Sequence, residues 1–180
     1  MTTPSDKTLI KAVLAGEKAA YERLYDCYAP LIRAVCYDTT ANLADAQDLA
    51  QDVFMRAYEK LNRLRSPELF GKWLVGIARL RCREWRRKDL RCREKNVELD
   101  RAEYAVSDPP NDDGVELLRR MITTLPDKER LALHSFYLQG RSADDARRIM
   151  GLSRSGFYRV LERARKRLER LMFKDGEEIQ

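Results

Sequence analysis

The spacing of apolar residues between positions 153 and 172 constrains this chain more than any other feature. Phe157, Val160, Leu161, Ala164, Leu168 and Leu171 recur at steps of three and four, one face of an amphipathic helix. Arg154, Tyr158, Arg159, Arg163, Arg165, Lys166, Arg167 and Arg170 stand between them, opposed only by Glu162 and Glu169. Upstream, Ser142-Ala143-Asp144-Asp145 has the form of a capping box, a hydroxyl followed three residues later by a carboxylate. It starts a short helix ending near Met150. Gly151 can take the left-handed turn that stops that helix, and Ser153 can cap the next one. A short helix, a glycine turn and a basic helix outline a helix-turn-helix whose second helix reads DNA. A solvated, Arg-rich surface helix on any helical domain has the same periodicity, so the rest of the chain must decide.

The class of fold follows from what is scarce. Only 8 Gly and 6 Pro occur in 180 residues, runs of β-branched residues are nearly absent, and Ala, Leu, Arg, Glu and Lys dominate. An all-α protein is expected, large enough for one sizeable core or two small ones. A net charge of +6 favours a polyanionic partner only weakly, because 35 basic residues face 29 acidic ones; their distribution matters more. No apolar run approaches the roughly 20 residues that span a bilayer, and residues 1–7 lack a signal-peptide core, so a cytoplasmic protein without membrane insertion is expected. Cys27, Cys36, Cys82 and Cys92 then read as reduced thiols. None forms a CxxC, and His134 has no cysteine at metal-ligand spacing. No metal site, cofactor or catalytic residue is expected, and His134 reads as a packed or surface helix residue.

Taken in order, residues 8–14 and 19–37 read as helices broken at Gly16, the second striped by Leu24, Tyr28, Leu31, Ile32 and Val35. A third helix is expected over 43–64, with Ala46, Ala50, Val53, Phe54, Ala57 and Leu61 on its apolar side and Asp45, Gln47, Asp48, Gln51 and Asp52 on the other. Asp48 and Asp52 are four apart, where like charges on an isolated helix cost a few tenths of a kcal/mol. A solvated face and a face kept acidic for a basic partner both fit; periodicity alone favours the solvated face. Ser66-Pro67-Glu68 can cap a fourth helix over 68–90. Its Phe70, Trp73, Leu74, Ile77, Ala78 and Trp85 lie largely on one side, and Lys72, Arg79, Arg83, Arg86 and Arg87 on another. Cations interleaved with tryptophans suit nucleic acid, phosphate meeting the cations and unpaired bases the rings; a core Trp pair with a charged flank is the plainer reading. Periodicity fades from Asp89, and a breaker-rich acidic stretch follows. We therefore divide the chain into a helical domain over 1–92, an acidic linker over 93–113, and a second helical domain over 114–180. In the latter, helices over 115–125 and 127–139, split by Pro126, are expected to pack on the helix-turn-helix.

Two matches carry a family resemblance. The first is Asp45-Ala46-Gln47-Asp48-Leu49-Ala50-Gln51-Asp52-Val53-Phe54, followed by Trp73-Leu74 and Ile77-Ala78-Arg79. The second is Leu125-Pro126, Arg130, Gly140, Gly151-Leu152-Ser153 and Arg163-Ala164-Arg165-Lys166-Arg167-Leu168. In this order and spacing the chain resembles the bacterial RNA polymerase sigma factors of the sigma-70 family, in their compact extracytoplasmic-function (ECF) group, the two matches corresponding to regions 2 and 4. The resemblance implies a transcription initiation factor without catalysis of its own, partnered by core RNA polymerase (β′ clamp helices and β flap), promoter DNA and, in some members, an anti-sigma factor. It would be nucleoid-associated when in holoenzyme. Asp45, Gln47, Asp48, Gln51 and Asp52 would then dock on the clamp helices, which reverses the preference drawn from periodicity. The loop over 63–67 with Lys72, Arg79, Arg83, Trp85, Arg86 and Arg87 would engage the minus-ten element and its opened strand. Arg154, Ser155, Tyr158 and Arg159 would reach base edges or phosphates of the minus-35 element, and Arg163 and Lys166 its backbone. Two positions depart from the family pattern: Leu80 stands where many members have Asn, and Ala146-Arg147 stands where a large aliphatic residue followed by Ala is usual. The arginine implies either an altered helix crossing or a side chain turned outward. The competing reading is a free-standing helix-turn-helix regulator whose N-terminal half dimerises or senses a ligand.

Overall fold

The structure is a computed structural model that describes residues 4–96, 113–138 and 142–177. The chain divides into two compact units, Met1–Asp108 and Pro109–Gln180. Most of the stretch expected as a linker, 97–112, lies outside the described residues, as do Gln139 and Gly140.

In the first unit, α1 (Asp6–Leu14), α2 (Lys18–Thr40), α3 (Leu43–Glu59) and α4 (Phe70–Asn96) surround one apolar core. Helix α2 is the axis, packed against α1, α3 and α4. Its Leu24, Leu31, Ile32 and Cys36 are fully buried, as are Val53 and Ala57 of α3 and Phe70, Leu74 and Ala78 of α4. Local chemistry sets the ends. Ser5 Oγ accepts from the Thr8 amide (3.2 Å), which starts α1 two residues earlier than periodicity indicates. Gly16, at φ +100°, turns the chain from α1 into α2. Ala41 ends α2 at φ 50°, a conformation costly for a residue with a Cβ. Thr40 braces it by donating to the Asn42 carbonyl (3.0 Å), and Asn42 Oδ1 in turn caps α3 through the Asp45 amide (3.0 Å).

Three sequence expectations need correction here. Helix α3 stops at Glu59, and only a single 3-10 turn, Leu61–Arg63, follows, although Leu61 is buried as the stripe requires. Ser66 makes no side-chain cap; Pro67–Leu69 is another 3-10 turn, and α4 begins at Phe70. Helix α4 then runs to Asn96, beyond the loss of apolar period, because Arg, Glu and Lys hold helix well without a buried face.

The second unit holds α5 (Asp113–Thr124), α6 (Asp127–Tyr137), α7 (Ala143–Met150) and α8 (Arg154–Glu177). Its core is Leu125, Ala132, Leu133, Ala146, Phe157, Val160, Leu161 and Ala164. Pro126 separates α5 from α6, and the Arg130 guanidinium closes the corner by donating to the carbonyls of Thr123 (2.7 Å) and Leu125 (3.1 Å). Although α5 and α6 are the helices expected to pack on the helix-turn-helix, Leu117 and Leu118 of α5 and Leu138 after α6 are exposed. Met121 and Leu125 are the buried residues of that segment.

Candidate nucleic-acid interface

The α7–α8 corner is fixed by three local devices. Ser142 Oγ accepts from the Asp145 amide (3.4 Å), and the hydroxyl also bonds the Asp145 carboxylate (3.0 Å). Gly151 turns left-handed at φ 66°, with its own amide and that of Leu152 closing onto the Arg148 (3.1 Å) and Arg147 (3.0 Å) carbonyls. Ser153 Oγ then accepts from the Gly156 amide (3.1 Å) and starts α8. Gly156 suits this cap, since a Cβ there would lie 3.0 Å from that hydroxyl. The departure at Arg147 resolves as an outward turn. Its guanidinium pairs in bidentate fashion with Asp144 (3.0 Å each), while Ala146 takes the fully buried position. That hydrogen bond holds the Asp144 carboxyl below its ordinary range.

With Phe157, Val160, Leu161 and Ala164 buried, Arg154, Ser155, Tyr158, Arg159, Arg163 and Lys166 all stand exposed. They are not equivalent. Lys166 Nζ sits 2.9 Å from Glu162, which raises the amine's pKa, lowers the carboxyl's and offsets part of its positive field. Arg167 pairs with the buried Glu129 (3.2 Å), and Arg165 lies 5.7 Å over the Phe136 and Tyr137 rings and donates to Tyr137 Oη (3.0 Å). Those two arginines join α8 to α6.

On α4, Lys72, Arg83, Arg86 and Arg87 are exposed and Arg79 is half-buried. At roughly 100° per residue they share one face, from which Trp85 is turned by about 140°. Trp85 is half-buried. The aromatic residue that stands beside the cations is Trp73, tilted against Phe70 at 6.0 Å. It lines an open groove of about 530 Å³ together with Lys72, Gly76, Ile77 and Leu80 of α4 and Leu64, Arg65, Ser66 and Leu69 of the chain before it. Periodicity could not find this groove, because part of its lining comes from residues 64–69, the loop and single 3-10 turn that precede α4. Leu80, the second departure, is one of its exposed lining residues.

The face of α3 opposite the core presents Asp45, Gln47, Asp48 and Gln51 to solvent. Asp52 differs from the others. It is half-buried, paired with Arg56 (3.2 Å) and with Arg81 of α4, which also pairs with Glu84. The expectation of two solvent-facing carboxylates at 48 and 52 therefore holds only for Asp48. Helical spacing continues the exposed face to Met55 and Tyr58, two residues the sequence reading passed over.

A four-helix unit with an acidic outer face and a basic, groove-bearing helix, together with a second unit ending in a helix-turn-helix, defines a transcription factor of bipartite build. Comparison with known proteins gives the family. Residues 24–92 match the model of sigma-70 region 2. RNA polymerase sigma factor YlaC of Bacillus subtilis is 31% identical over 163 residues, covering 87% of this chain and 94% of that one. The probable RNA polymerase sigma factor RfaY of Xanthomonas campestris pv. campestris is 27% identical over 162 residues, 84% of this chain, which spans only 40% of the length of that relative. The solved structure of CnrH in complex with the cytosolic domain of CnrY has the same fold, with a TM-score of 0.65 and 20% identity over 96% of this chain and 99% of that one. The chain belongs to the sigma-70 family of RNA polymerase sigma factors, in its ECF group, and is a factor of transcription initiation. No helix among the described residues is long and apolar enough to cross a membrane.

Proposed function

We propose that this protein binds core RNA polymerase and takes it to promoters whose minus-ten and minus-35 elements it reads with different units. The observation that carries the reading is the α4 groove. An apolar, Trp73-lined recess edged by Arg65 and Lys72, on the helix that also bears Arg83, Arg86 and Arg87, suits an unstacked base and the strand attached to it. A free-standing helix-turn-helix regulator that senses a ligand needs a pocket that encloses it, whereas this recess is open and edged by cations that suit a nucleic-acid strand.

In this reading Asp45, Gln47, Asp48 and Gln51 dock on the basic clamp helices of the β′ subunit, with Asp52 acting at the edge of that face while it braces α3 against α4. Arg154, Ser155, Tyr158 and Arg159, at the start of α8, reach base edges of the minus-35 duplex, and Arg163 and Lys166 its phosphates. We divide the chain for this purpose into residues 1–92, a connecting stretch 93–113 and residues 114–180. Polymerase sets the spacing of the two DNA-binding units, so that one promoter engages both. The exposed Leu117, Leu118 and Leu138 offer the second unit a protein contact, for which the β flap is the natural candidate. CnrH was solved with a second protein bound; for this chain a protein partner is proposed too, an anti-sigma factor. The protein supplies no catalysis, leaves the chemistry to the polymerase, and works in the cytoplasm at the nucleoid.

Permanganate footprinting of promoter thymines tests this, comparing the protein alone, core polymerase alone and the mixture over a selected promoter library. Reactive thymines are expected in the mixture only. Opening by the protein alone, or none by the mixture on any promoter, rejects the reading.

A further inference from the structure

Two of the four cysteines form a pair that promoter recognition does not use. Cys36 of α2 is fully buried and Cys82 of α4 almost so, at the place where the two helices pack. Cys82 Sγ lies 3.8 Å from the carbonyl oxygen of Val35, the residue preceding Cys36, so the two thiols are neighbours and each perturbs the other's ionisation. The surroundings of the two sulfurs differ. Cys82 has the Thr39 hydroxyl as a further donor and the Arg86 guanidinium nearby, whereas the carboxylates of Asp38 and Asp52 bear on Cys36, and Asp38 on Cys82 as well. We propose that Cys36 and Cys82 are a peroxide-reactive dithiol site that closes into an intramolecular disulfide between α2 and α4.

The asymmetry assigns the order of events. As a thiol, Cys82 donates to the Val35 carbonyl; once ionised, it accepts from Cys36 and Thr39, which brings its pKa down to about 7. Cys36, by contrast, is pushed up by that same hydrogen bond and by burial, and keeps its proton. The Cys82 thiolate attacks one oxygen of hydrogen peroxide; an S–O bond forms, the O–O bond breaks and hydroxide departs, leaving a sulfenic acid. Cys36 then attacks that sulfur, the S–S bond forms, the S–O bond breaks, and the hydroxide leaves with the Cys36 proton as water. The protonated peroxide leaving group makes the second water, so two thiols and one peroxide give one disulfide and two waters. A thiol reductant reverses the step. The bond would tie α2 to α4, the helix bearing Lys72, Arg83, Arg86 and Arg87, through the core of the first unit.

The test is made on the full chain, natively folded and fully reduced, treated with a small excess of hydrogen peroxide and then blocked with N-ethylmaleimide. Peptides are mapped without reduction. Trypsin is unsuitable, since Arg81-Cys82-Arg83-Glu84 and Arg91-Cys92-Arg93-Glu94 yield the same Cys-Arg dipeptide; chymotryptic cleavage after Leu80 and Trp85 separates them. The expected product is a Cys36–Cys82 linked pair, released by dithiothreitol and formed faster as pH rises through about 7. It should form unchanged in the Cys27→Ser, Cys92→Ser double variant and be absent from Cys36→Ser and Cys82→Ser. The wild-type map decides even where a serine variant folds poorly. A Cys36 that stays open to alkylation while Cys82 is oxidised, or a bond from Cys82 to Cys92 or to a second molecule, overturns the assignment.

Discussion

Helices α4 and α8 both carry rows of arginine, yet what stands beside the arginines differs. On α8 the cations rise from a continuous exposed face, with Ser155 and Tyr158 among them and every large apolar side chain of the first turns turned into the core. Such a rod suits the major groove of a duplex, where short polar side chains and guanidiniums reach base edges. On α4 the cations border a recess with Trp73, Ile77 and Leu80 at its side. An apolar recess cannot be filled by a stacked base pair, but it accepts a base that has left the stack. Charge alone would have ranked the two helices together; the neighbouring surface tells them apart.

The largest expected effect concerns the separateness of the units. Phe157 is fully buried in the second core, so Phe157→Ala should destabilise that unit by about 3–5 kcal/mol. Both tryptophans, Trp73 and Trp85, lie in α4 of the first unit. Thermal unfolding followed by tryptophan fluorescence should therefore keep its wild-type midpoint while the circular dichroism melt gains an early phase; a matching shift in both would merge the units. Next come the two surfaces. Arg154→Ala and Arg159→Ala should each weaken holoenzyme binding to a minus-35 duplex by about 1–3 kcal/mol where a bidentate base contact is lost. Binding of the holoenzyme to a single-stranded minus-ten oligonucleotide should not change. Trp73→Ala should do the reverse, costing about 1–3 kcal/mol on the single strand if one base stacks there. Equal losses of both variants on both probes would dissolve the distinction between α4 and α8. The smallest effect sharpens it: Gly151→Ala forces a Cβ into a left-handed turn at a cost of about 1 kcal/mol, so the second unit should melt slightly earlier with first-unit fluorescence unmoved.

Periodicity and cap chemistry determined much of this protein unaided. The stripes of α2, α3 and α8 turn inward where the 3.6-residue repeat puts them, with only Val35, Leu168 and Leu171 half-buried, and Ser142, Gly151 and Ser153 act as the residue types dictate, because these interactions close within a few residues. The exposed positions of Asp48, Lys72, Arg83, Arg154 and Arg159 follow from the same repeat. The tertiary structure decided what depends on partners distant in sequence. It took Asp52 into a bridge with Arg81, bound Arg165 and Arg167 of α8 to α6, and left Leu117 and Leu118 outside the core. It also put Trp73, rather than Trp85, beside the cations of α4, in a groove lined in part by the irregular chain over 64–69. A helical repeat specifies which side of a helix is apolar, but not which neighbour arrives to cover it or to leave it open.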